Sequence, residues 1–99
     1  MANKNVIWSP LAEEDFNHIL AYLYEQWGNE VALRFIDTIE QVIFQIIKYP
    51  DLFPLINKDI GVHKCVITKQ NTLFYKLDDK NIYLLRIFDT RQNPDTLQF

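Results

Sequence analysis

An α+β domain of order β-α-α-β-β-β, an antiparallel sheet with a helical hairpin packed on one face, is the fold this 99-residue sequence predicts. Three observations predict it. Residues 10–49 place apolar side chains three and four positions apart, the period of an amphipathic helix. Residues 62–89 break into short β-branched and aromatic runs separated by brief polar connectors. A glycine, Gly28, divides the helical half in two. A sheet needs cover on at least one face, and the helical hairpin is the element available to give it. The length suits a single domain over residues 1–99.

The first element is the run Asn5 to Trp8, "NVIW", closed by "SP". Ser9 is the expected N-cap and Pro10 the first helical residue, where its missing N–H costs no intrahelical bond. Glu13, Glu14 and Asp15 complement the positive end of the helix dipole. Phe16, Ile19, Leu20, Leu23 and Trp27 then form one apolar stripe, and Gly28 stops the helix. Asn29 is the expected cap of a second helix, whose stripe of Ala32, Phe35, Ile36, Ile39, Val42, Ile43, Ile46 and Ile47 is wide enough for contact on two sides. It should end at Tyr49, ahead of Pro50. Residues 50–61, with two prolines and a glycine and no clear period, read as a surface-crossing loop. Three strands follow at 62–68, 72–77 and 82–89, and the connectors Lys69–Asn71 and Asp78–Asn81 are short enough to make them an antiparallel meander.

Charge is divided along the chain. Residues 1–61 carry a net −5 and residues 62–99 a net +2, so the helical half is acidic and the strand half basic. No apolar run approaches the roughly 20 residues of a membrane span, and the N-terminus has no export signal. A lone Cys65 has no partner for an internal disulfide, and no ligand spacing of a recognised kind is present. The expectation is a cytoplasmic protein with no cofactor and no metal.

The candidate site lies in "NIYLLRIFDTRQNP", Asn81 to Pro94, where Arg86 interrupts an apolar strand and Arg91 follows it. Strict alternation puts Tyr83, Leu85 and Ile87 under the helices, and Ile82, Leu84, Arg86 and Phe88 on the open face, because an unpaired guanidinium under the helices would be strongly unfavourable. Two readings follow. Arg86 pairs with an aspartate of a neighbouring strand or loop, or the open face receives a partner and Arg86 gives it a charge to read. Lys64, Lys76 and Arg91 are further cations that alternation or proximity assigns to the same region.

Four stretches, in order, carry a family resemblance: "WSPLAEEDF" at the first helix, Trp27–Gly28 at its end, "YPDLFP" after the second helix, and the ending "FYKL" with "IYLLRIFDTRQNP". Together they resemble toxins of the RelE/ParE superfamily of bacterial type II toxin–antitoxin modules, over nearly the whole chain. The superfamily has two activities. RelE-like members are ribosome-dependent endoribonucleases that help a ribose 2′-OH attack the neighbouring phosphate of mRNA. ParE-like members bind DNA gyrase and trap it on broken DNA.

Under the nuclease reading Lys64, Arg86 and Arg91 are the candidate catalytic cations, but the chain offers no glutamate after Glu40 and no His or Tyr in the tail as acid and base. His63 is out of phase with Lys64, and Asp89 with Arg86. The ParE reading fits better, since "LRIFDTRQNP" is similar to ParE-like endings, with Asp89 in place of the usual His or Gly. It implies a toxin that inhibits gyrase through a protein surface. The alternatives are a ribosome-dependent nuclease, with the ribosome and mRNA as partners, and a non-toxic antitoxin-binding homologue. The active readings imply a cognate antitoxin, docked on Ile82, Leu84, Arg86, Phe88 and Arg91, and contact with DNA only indirectly through that antitoxin.

Overall fold

The computed structural model describes residues 4–90. Its elements are β1 (Asn5–Trp8), α1 (Pro10–Trp27), α2 (Asn29–Lys48), β2 (Leu55–Asn57), β3 (Val62–Val66), β4 (Asn71–Leu77) and β5 (Asn81–Asp89). The expected α+β order holds, with one addition. Residues 50–61 are not all loop, because Leu55–Asn57 pair with β3 as a three-residue edge strand. No periodic signal marks a strand so short.

The sheet runs β1-β5-β4-β3-β2. Strands β2 to β5 are antiparallel neighbours, while β1 lies parallel to β5 with Val6 opposite Ile82 and Trp8 opposite Leu84. At the end of β1 the Ser9 side chain accepts from the Ala12 N–H at 3.0 Å, capping α1, and Pro10 is the first helical residue. Gly28 sits between the helices at φ 91° and ψ 179°. That is a conformation open to glycine and strained for other residues. Gly28, rather than Asn29, occupies the N-cap position of α2, and no side chain caps that helix.

The main core lies between the hairpin and one sheet face. Ala12, Phe35, Ile39 and Ile46 from the helices bury against Cys65, Leu73, Tyr75, Ile82, Leu84 and Ile87 from the strands. Rings continue the packing along α1, with Trp8 to Phe16 at 5.2 Å and Phe16 to Phe35 at 6.1 Å between centroids. Trp27, the last residue of the α1 stripe, is 67% exposed and stays outside this core. A smaller cluster of Val62, Phe74 and Phe88 forms on the opposite face, with Leu85 against it.

This arrangement corrects the expected faces of the last strand. Phe74 lies opposite Arg86, but Tyr75 lies opposite Leu84, so Leu85 is an extra residue in β5, a β-bulge. Before the bulge Ile82 and Leu84 face the helices, both fully buried, and Tyr83 and Leu85 face away. After it Ile87 faces the helices and Phe88 faces away. Ile82 and Leu84 are core residues and not part of the open face. A bulge shifts a period of two by one residue, which alternation read from sequence cannot register.

Candidate functional site

The site is built where β1 ends and β5 continues. β1 pairs with β5 only as far as Leu84, which would leave the rest of that strand edge without partners. Ser9, the N-cap of α1, and Asp15 within the helix supply them. The Ser9 N–H donates to the Leu84 carbonyl at 2.9 Å and the Ser9 hydroxyl to the Leu85 carbonyl at 2.7 Å. One turn into the helix, the Asp15 carboxylate accepts the Ile87 N–H at 3.0 Å. Side chains thus extend the ladder that β1 leaves unfinished.

Asp15 also receives Arg86. The guanidinium Nε lies 2.7 Å from Oδ2 and Nη2 lies 3.0 Å from Oδ1, a bidentate fork on one carboxylate. Both side chains are mostly buried, at 14% and 16% exposure. The hydrogen bonds that Arg86 donates to the Asp15 carboxylate are the chief influence raising the Arg86 pKa above its ordinary value, with desolvation opposing them. The expected pairing of Arg86 with an aspartate is therefore present, but the aspartate comes from the first helix and not from a strand or loop.

The other expected residues are distributed as follows. Lys64 lies opposite Phe74, which lies opposite Arg86, so the three form one row across the sheet on the face away from the helices. Lys64 is exposed and Phe88 is buried in the small cluster of that face. Arg91 lies outside the described residues. His63 faces the helix side, where its ring stacks on Tyr75 at 4.9 Å and its Nδ1 is 3.0 Å from the Phe53 carbonyl. Alternation also turns Asp89 to the face opposite Arg86 and Phe88.

Beside the row lies a feature that sequence reasoning missed. Ile7, Lys76 and Tyr83 form a second row, because Tyr83 pairs with both others, and with Leu77 and Leu85 they line a cleft of about 470 Å³. At its end the Asp78 carboxylate accepts the Tyr83 hydroxyl at 2.7 Å and the N–H groups of Lys80 and Asn81. The Tyr83 bond, with Lys80 next, holds Asp78 down at about 2, and the same bond raises the Tyr83 pKa. The signal was present in the period-two placement of Ile7, Tyr83 and Leu85, but their common face depends on the bulge and on the parallel pairing of β1.

A hairpin of helices over a sheet edged by a parallel first strand is the fold of toxins from toxin–antitoxin systems. The structure matches that of a chromosomal ParDE system from P. aeruginosa with a TM-score of 0.73 at 18% identity, covering 87% of this chain and 95% of that one. A YoeB dimer from Staphylococcus aureus matches at 0.65 and 20% identity, covering 88% and 97%. A DinJ-YafQ toxin-antitoxin complex from E. coli matches at 0.61 and 13%, covering 91% and 96%. At these identities the likeness is one of fold. No curated protein matches by sequence. The family described as the ParE toxin of type II toxin-antitoxin system, parDE, matches residues 6–94. The chain belongs to that family, and it is a toxin of a type II toxin–antitoxin system.

Proposed function

We propose that this toxin acts as a ParE-like inhibitor of DNA gyrase, through protein–protein binding and without cutting RNA, and that a cognate antitoxin neutralises it. The observation that carries the reading is the engagement of Arg86 by Asp15. A ribonuclease built on Lys64, Arg86 and Arg91 needs cations free to meet the charge that develops on phosphorus, and a base and an acid beside the two oxygens. Arg86 has its charge met by Asp15, and His63, the nearest candidate base in sequence, is stacked on Tyr75 on the opposite face from Lys64. The family match supports the same side of the superfamily.

The antitoxin follows from the company this fold keeps, since similar structures include a YoeB-YefM toxin-antitoxin complex from Staphylococcus aureus and the DinJ-YafQ complex. The setting we propose is the cytoplasm, with no helix among the described residues long and apolar enough to cross a membrane.

The test is pulse-labelling of DNA and protein synthesis in the minutes after the chain is induced in a bacterium without an antitoxin. A fall in DNA synthesis first, followed by inhibition of purified gyrase in a supercoiling assay, is the expected result. An earlier fall in protein synthesis would overturn the gyrase reading in favour of mRNA cleavage on the ribosome. No growth arrest would leave the chain as an antitoxin-binding homologue.

A further inference from the structure

The sheet has two edges, and the chain treats them differently. β2, at one edge, is three residues long, follows Pro54 and carries a register shift against β3. Such devices blunt an edge against pairing with another strand. β1, at the other edge, has none of them: its sequence Asn-Val-Ile-Trp contains no proline and no charge, and its register with β5 is unbroken. The backbone groups it offers follow from the ladder. The Asn5 N–H donates to the Lys80 carbonyl and the Ser9 N–H to the Leu84 carbonyl. By the period of two, Asn5, Ile7 and Ser9 turn their N–H and C=O groups toward β5, and Val6 and Trp8 turn theirs outward. Among the described residues nothing meets the outward groups of Val6 and Trp8.

We propose that β1 pairs antiparallel with β1 of a second copy, about a twofold axis at Ile7, and joins the two sheets into one. In this register Val6 faces Trp8 of the second copy, and Trp8 faces its Val6. Both residues carry outward groups, so each facing pair exchanges N–H and C=O in both directions and the outward groups of Val6 and Trp8 are all used. Pro10, with no N–H and already in α1, closes the ladder there. Ile7 meets Ile7 of the second copy as a non-hydrogen-bonded pair, with Cα atoms about 4.5 Å apart. Ile7 is 42% exposed at the rim of the cleft it shares with Tyr83 and Leu85, so pairing covers its side chain and joins the two clefts. Charge and space select a second copy. Lys4 comes opposite Pro10 of that copy, one helical turn from its Glu13, which lines a hollow beside Trp8 and Phe16, and the axis repeats this attraction. α1 packs on β5, which sets the two α1 helices three strand spacings apart. That is about 14 Å, room for helices about 10–12 Å across. The inference goes beyond the gyrase reading and does not depend on it.

The test uses the purified full chain. Sedimentation equilibrium over a concentration series is expected to show a monomer–dimer equilibrium, with the Val6 and Trp8 amides exchanging more slowly with deuterium as the dimer fills. Ile7→Lys and Ile7→Glu should each weaken dimerisation by about tenfold or more, because like charges then face each other across the axis. An equimolar mixture of the two variants should dimerise again, which merely misfolded variants would not do. Ile7→Cys should form a disulfide between copies under mild oxidation, since the facing Cα atoms lie within the span of that bond. Asn5→Cys should not, and the native Cys65 is buried. A chain that is monomeric at every concentration, or a dimer indifferent to both charge variants, would overturn the proposal. So would a disulfide from Asn5→Cys in place of Ile7→Cys, which sets another register. Protection of Val6 and Trp8 that appears only on adding an extended peptide of alternating threonine and valine would also overturn it, and would assign the edge to a strand of another protein.

Discussion

Asp15, in the second turn of α1, holds both the guanidinium of Arg86 and the N–H of Ile87, so one carboxylate closes the strand edge that β1 leaves open and neutralises the one arginine of the last strand. The arrangement makes Arg86 part of the fold as well as of the surface. Its consequences are testable one by one.

Breaking the pair should destabilise the protein. Removing one partner of a mostly buried ion pair leaves the other without compensation, at a cost of about 3 kcal/mol. Arg86→Ala and Asp15→Ala should each lower the unfolding free energy from urea titration by that order, with the second variant slightly worse because the Ile87 N–H also loses its acceptor. The double variant should cost much less than the sum of the two. A full-sized additive effect in the double-mutant cycle would show that the two groups do not interact.

Gly28 should tolerate no side chain, for a reason confined to the backbone. A Cβ at this position meets nothing within 4 Å, yet the residue sits at φ 91°. Gly28→Ala is expected to cost about 1–3 kcal/mol from strain alone, measured as a lowered thermal midpoint with an unchanged circular dichroism spectrum. An unaffected midpoint would mean that the hairpin turn relaxes to a conformation open to alanine.

Cys65 should be inert in the folded protein. Burial raises its thiol to about 11, and the side chain lies in the main core. A raised acid pKa means that the protonated form is the one the fold favours. The stabilising contribution is whole below the ordinary thiol value near 9 and lost as pH rises toward about 11. Ellman's reagent should therefore react slowly in native buffer at neutral pH and at once in denaturant. Fast native modification would place Cys65 at an open position.

Asp78 should titrate well below other aspartates. Its Tyr83 bond and the Lys80 N–H hold it at about 2. Since that is lower than the value in an unfolded chain, the contribution to stability is present above about pH 4 and is lost as pH falls through about 2. Carboxyl-carbon NMR on the wild type should find this midpoint, and Tyr83→Phe should move it upward toward the ordinary range. An unchanged midpoint in the variant would assign the depression to the turn backbone instead.

What the sequence by itself determined is the local grammar of the chain. Ser9–Pro10 marks a helix start, Gly28 a break and Tyr49–Pro50 a stop, because caps, φ restrictions and apolar periods act over a few residues and need no distant partner. The meander was legible for the same reason, and the family resemblance rested on these signals in order. Only the tertiary structure decided which way β5 faces and what Arg86 does. One bulged residue, Leu85, exchanges the faces of Ile82, Leu84, Tyr83 and Leu85 against strict alternation. The partner of Arg86 lies 71 residues away in sequence, on a helix whose position is fixed by the packing of Phe16, Phe35 and the sheet. A period of two carries no memory of a single insertion, and an ion pair between distant elements exists only once the core between them has been packed.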